Sequence, residues 1–211
     1  MPEALFSKPP AARAGTHLLL MLHGYGSSET AMARHFGTLP PNVTGVALRG
    51  GLDVGGASGW FLLDYFLAHD FADVVASAQS VLDFQDAHAE AFESVNLFGY
   101  SQGMAMATTL MRLRPGAYRS AVGLSGFVLD SKLLELIDPE PGGPVGRTPF
   151  FWGRDRADPV INADAAEHTA GWLQRHTRLT ARTYPGMGHA TSADELRDAG
   201  AFLRHYLPRE G

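Results

Sequence analysis

The chain has 211 residues, 45% of them apolar, and a formal charge of −5, which suits one soluble domain with a sizeable core and leaves no basic patch for nucleic acid or an anionic membrane. With no cysteine, disulfides, a thiolate nucleophile and a Cys-type zinc site are excluded. Pro2, Pro9 and Pro10 break up the N-terminus, and the nearest apolar run, 17–22, is far too short to cross a bilayer; neither a signal peptide nor integral membrane association is expected, and the expected location is cytoplasmic.

In chain order, "THLLLML" (16–22) reads as a buried strand that breaks at His23-Gly24, and 42–50 as a second, followed by the glycine-rich "GLDVGGASGW". Residues 70–92 lack Gly and Pro and space Val74, Val75, Ala78, Val81, Leu82 and Phe84 about a helical turn apart, which predicts a long helix. A strand at 95–99 leads into a helix at 102–114 that stops before Pro115-Gly116. Short strands at 120–126 and 148–153 flank a Pro/Gly-rich surface loop, 138–147, and a helix (163–176), a strand (179–184) and a helix (193–207) close the chain. Short apolar strands alternating with amphipathic helices predict an α/β fold: one domain over 1–211, with 1–15 as an N-terminal extension, and a mostly parallel sheet covered by helices on both faces. Reactive groups in such sheets collect on loops beyond the carboxyl ends of the strands.

The first such loop holds Ser101, in Gly99-Tyr100-Ser101-Gln102-Gly103 between strand and helix. That context turns a G-x-S-x-G match into a nucleophile elbow, in which glycines let strand and helix pass closely and the helix N-terminus faces developing negative charge. A serine hydroxyl needs a base. Of nine histidines, His189 stands on the glycine-rich loop "YPGMGHATS" at the required edge, whereas His69, His88, His168, His176 and His205 lie in or beside helices. The base needs an acid to hold its tautomer. Asp158, followed by Pro159 and apolar Val160-Ile161, is favoured over Asp155, which lies between two arginines and reads as solvated or ion-paired, and over Asp130. The chain order Ser, Asp, His is that of the α/β-hydrolases. Oxyanion donors are expected from the backbone N–H of Gln102 and, in the glycine-rich "HGYG" after the first core strand, from that of Tyr25.

These residues resemble the small carboxylesterase/phospholipase family of α/β-hydrolases, which includes the acyl-protein thioesterases. "LLLMLHGYGSSE" is similar to the family's first strand and oxyanion loop, "NLFGYSQGMAMA" to its nucleophile segment, "LSGF" (124–127) to the following strand end, "ADPVI" to its acid loop and "GMGH" to its histidine loop. The resemblance spans about residues 18–203. It implies Ser101, Asp158 and His189 as a triad that hydrolyses carboxylic esters or thioesters of small-molecule substrates without a cofactor or metal. The sequence departs from the family at Met104, where a small residue is common, and at Trp152-Gly153, where many relatives have His-Gly in a slightly shorter loop. "SGWFLLDYF" matches only loosely; Trp60, Phe61 and Phe127 are candidates to line the acyl or alcohol pocket, with core packing as the alternative for each. With no long insertion to form a lid, short to medium acyl chains are expected, and lysophospholipase or acyl-protein thioesterase activity stays open. Two rivals lie outside this chemistry: an inert relative that binds a small ligand, and a flavodoxin-like domain using "HGYGSSE" as a phosphate loop. Monomer and homodimer are equally open.

Overall fold

The structure, a computed structural model, describes residues 2–64, 71–140 and 148–208. The continuous apolar runs form its central strands: β2 (His17–Leu22) and β3 (Val43–Leu48) are buried at every position, as is β6 (Val95–Tyr100) up to its last residue. With β1 (Ala4–Phe6), β7 (Tyr118–Leu124), β8 (Pro149–Arg154) and β9 (Arg178–Thr183) they make one sheet in the order β1-β3-β2-β6-β7-β8-β9, and β4 (Leu52–Val54) and β5 (Ala57–Gly59) pair as a separate hairpin. All pairs in the large sheet are parallel except β1 with β3. Strands buried on both faces are what a parallel sheet requires.

The pleat sorts side chains to two layers. Leu18, Leu20 and Leu22 face a core shared with α2 (Ala72–His88), α3 (Gln102–Leu113) and Trp172 of α5 (Ala163–His176), while Leu19 and Met21 face one shared with Met32 of α1 (Glu29–Ala33) and Phe202 of α6 (Ala193–Tyr206). A short helix, α4 (Lys132–Glu135), follows β7. Within the first layer the Arg112 guanidinium is fully buried: its Nε donates to Asp138 Oδ1 (2.6 Å) and its Nη1 to Leu129 O (3.0 Å), and Trp172 Nε1 donates to the same Asp138 oxygen (2.8 Å).

The expected α/β-hydrolase architecture, with helices on both faces and no large lid among the described residues, is therefore present. Two local expectations change. The stretch read as an N-terminal extension contributes β1, antiparallel to β3 through Leu5↔Ala47. The long helix ends at His88, where a single 3-10 turn, Ala89–Ala91, leads to extended Phe92; its expected start, Asp70, lies outside the described residues. Of the expected surface loop, 141–147 lies outside them too. Register aligns the carboxyl ends, with Leu22 opposite both Leu48 and Gly99, Tyr100 opposite Leu124, and Leu124 opposite Gly153. The loops at 23–25, 101, 125, 155–158 and 184–192 therefore leave from one edge.

Candidate active site

At the end of β6 the backbone of Ser101 takes φ 52°, ψ −118°, a conformation that non-glycine residues adopt only where surrounding structure imposes it. The flanking glycines follow from backbone contact. A Cβ on Gly103 would stand 2.0 Å from the carbonyl oxygen of Leu22, and one on Gly99 2.3 Å from that of Gly103. Ser101 N donates to Leu124 O, and Met104 N to Ser101 O (both 2.9 Å). α3 starts at the next residue, so its first N–H groups, which lack intrahelical acceptors, lie beside the serine. Met104 fits because its neighbours lack side chains: a Cβ on Gly123 would lie 2.5 Å from its sulfur, and one on Gly126 2.5 Å from its Cβ.

His189 reaches this turn on the loop between β9 and α6, where Gly186 (φ 83°) and Gly188 (φ 63°) supply left-handed backbone. Three strand ends hold the loop. Tyr100 Oη donates to His189 O, Ser125 Oγ to Ala190 O, and Gly188 N to Asp155 Oδ2, each at 2.9 Å. His189 Nε2 lies 2.9 Å from Ser101 Oγ, and Nδ1 lies 2.8 Å from Asp158 Oδ2. Asp158 Oδ1 accepts from Val160 N (2.8 Å) and Ile161 N (3.1 Å), so both carboxylate oxygens are engaged. Asp155 is not the solvated or ion-paired residue expected. It is buried, and hydrogen bonds from the Ala157 and Gly188 amides hold its carboxyl below the usual range. Asp130 is exposed and 3.7 Å from His168, not in contact with His189.

The loop after β2 presses on the elbow: a Cβ on Gly24 would lie 3.3 Å from Ser101 Cβ and 3.1 Å from the Tyr100 ring. Buried His23 orients this loop. Its Nε2 accepts from Gly50 N (3.0 Å), so the proton is on Nδ1, which donates to Gly24 O (2.7 Å), and burial lowers its pKa and keeps it neutral. The carbonyl of Gly24 and the N–H of Tyr25 share one planar peptide, so this bond also fixes where Tyr25 N–H points. Gln102 fastens the other side, its Oε1 accepting from Trp60 N (2.9 Å) and its Nε2 donating to Phe61 O (2.7 Å), while Trp60 Nε1 donates to His23 O (2.8 Å).

Trp60 and Phe61 are consequently core residues, 2% and 0% exposed, and do not line the opening over Ser101. That opening is a groove of about 660 Å³ whose lining includes Ser101 and His189 together with Tyr25, Leu63, Phe127, Val160 and Ile161. Phe127 is the one proposed pocket aromatic that reaches it. The buried pair belongs to the first core layer, a placement that position after β5 does not reveal. His23, Tyr100, Ser125, Asp155 and the Gln102 side chain support the site without a motif of their own; what marks each in the sequence is its place at or beside the carboxyl end of a parallel strand. Among the described residues no group of His, Asp and Glu could hold a metal ion, and no helix is long and apolar enough to cross a membrane.

A mainly parallel sheet with a strained serine turn at the carboxyl edge is the α/β-hydrolase architecture. Within it, the chain belongs to the phospholipase/carboxylesterase family, whose sequence profile matches residues 9–207. It is 30% identical over 126 residues to acyl-protein thioesterase 1 of Debaryomyces hansenii, covering 59% of this chain and 53% of that one. It is 27% identical over 135 residues to a probable carboxylesterase of Oryza sativa subsp. japonica, covering 63% and 49%. The chain thus spans about half the length of the curated relatives it matches. The Bacillus cereus carboxylesterase superposes with a TM-score of 0.81 at 20% identity, over 98% of this chain and 95% of that one.

Proposed function

We propose that the protein is a serine hydrolase of carboxylic esters and thioesters, working through an acyl-enzyme. The observation that carries this reading is the unbroken series Ser101 Oγ, His189 Nε2, His189 Nδ1, Asp158 Oδ2, with spacings of 2.9 and 2.8 Å, opening on a largely apolar groove. His189 takes the Ser101 proton as the oxygen attacks the acyl carbonyl, and Asp158 stabilises the imidazolium that results. The N–H groups of Tyr25 and Gln102 receive the oxyanion, each lowering the barrier by roughly 3–4 kcal/mol. His189 then protonates the departing alcohol or thiol, and water repeats the cycle to release the acid. Tyr100, Ser125 and Asp155 position the base in this scheme, and His23 positions the Tyr25 amide.

The groove is open and walled by Leu63 and Val160, which are 47% and 62% exposed, so it suits short to medium acyl chains. The same apolar walls, with thioesterases among the relatives, support long-chain thioesters as the second reading. Hydrolysis of p-nitrophenyl esters from acetate to palmitate, beside a matched series of acyl thioesters, tests both. Ser101→Ala is expected to lower turnover on the order of 10⁴-fold while the protein stays folded. Turnover within tenfold of the parent at every chain length would overturn the reading.

A further inference from the structure

A second groove, of about 550 Å³, lies between the Asp158 loop, α5 and β9 and includes neither Ser101 nor His189. Its lining holds Trp152 and the arginines of the "RDR" run at 154–156, which the chemistry at Ser101 does not use. Trp152, Ala166, Ala170 and Leu179 give it an apolar floor. The Arg154 guanidinium carbon lies 4.9 Å from the Trp152 ring centroid, within cation–π range.

Arg154 is half-buried, and Arg156 is close enough for its charge to act on it. Neither side chain makes an ion pair or hydrogen bond among the described residues. The nearest carboxylates are already committed, Asp155 to the amides of Ala157 and Gly188, and Asp158 to Val160, Ile161 and His189. A third arginine on the lining, Arg182, is paired with Asp198. Glu167, exposed on α5, faces the same groove without an ion pair. Arg154 lies partly desolvated over the Trp152 ring with Arg156 beside it. Asp155 and Asp158, also on the lining, act on Arg154 by charge but make no ion pair with it, and the planar guanidinium groups are left suited to hold a carboxylate or phosphate in two-point contact.

We propose that this groove is a second binding site for an anionic amphiphile, with one carboxylate or phosphate group between Arg154 and Arg156 and an apolar body along Trp152, Ala166, Ala170 and Leu179. The assignment is independent of the chemistry at Ser101. The protein has three tryptophans, so ¹⁵N labelling gives three indole N–H signals, of which Trp152→Phe identifies one. Titration with octanoate or octyl phosphate below micellar concentration should shift the Trp152 signal saturably and leave those of Trp60 and Trp172, buried elsewhere, in place. Octanol should shift nothing, and the stronger of the two anions identifies the headgroup. Arg154→Gln with Arg156→Gln should weaken binding by at least about tenfold, and Glu167→Gln should tighten it. Arg156 is exposed, so Arg156→Gln alone is a second variant that keeps the fold, and unshifted Trp60 and Trp172 signals verify this. The proposal is overturned by a Trp152 signal that no anion moves, by one that octanol moves equally, or by unchanged affinity in both arginine variants.

Discussion

The Glu195 carboxyl is buried in the first turn of α6 against Gly153, where a Cβ would come 2.3 Å from its Oε1, and neither oxygen has a hydrogen-bond donor among the described residues. Burial raises its pKa from 4.5 to about 7. Tyr100 and Tyr184, at the ends of β6 and β9, feel its charge and are themselves pushed upward, chiefly by burial, and among the described residues Glu195 makes no ion pair. The folded protein therefore keeps the Glu195 proton up to about pH 7, whereas the unfolded chain releases it near 4.5. Between those values the unfolded state binds fewer protons, and stability falls as pH rises. The loss from this one group is on the order of 3 kcal/mol, complete above pH 7. Glu195→Gln is expected to match the parent in melting temperature at pH 4.5 and to exceed it at pH 8; equal melting temperatures across that range would refute the assignment.

At the scale of elements, α3 can start directly after Ser101 only because β7 and the turn after it give way to Met104 through Gly123 and Gly126. Met104→Ala should cost about 2–5 kcal/mol by leaving a cavity, and Gly123→Ala about 1–3 kcal/mol by overpacking against the sulfur. The Cβ gained at 123 enters space vacated at 104, so the double variant should be more stable than the summed single effects by about 0.5–3 kcal/mol, read from urea midpoints. Strict additivity would mean that the contact carries no energy. The sequence read in isolation locates β2, β3, β6 and β8 well because each is a run of buried residues, and α5 and α6 because their apolar positions recur at helical spacing. It misses β1, β4 and β5, three residues each, whose extended form depends on a ladder partner distant in sequence or formed by the next turn, and not on a pattern of their own.

Across the whole molecule, Arg112 is a fixed charge inside the first core layer, and Asp138, at the start of the Pro/Gly-rich stretch, neutralises it. Asp138→Ala should cost about 3–5 kcal/mol in a denaturant titration, because it removes the ion-pair partner of a buried guanidinium; a cost below about 1 kcal/mol would mean that water or the more distant Glu135 and Asp130 compensate the charge. The site's loops were legible because chain order and strand-end position are sequence properties, and Ser101, His189 and Asp158 do come together. Which way a side chain turns is not such a property, so Trp60 and Phe61 go inward and Asp155 braces the His189 loop. One consequence concerns Ile161 and Asn162, which line both grooves. The segment bearing Asp158 is thus a partition with open space on either side, and its stiffness comes largely from the bonds that Asp158 makes to Val160, Ile161 and His189. In the proposed chemistry the same carboxylate is tool and fastening, so removing it takes away a charge and slackens a wall that two cavities share.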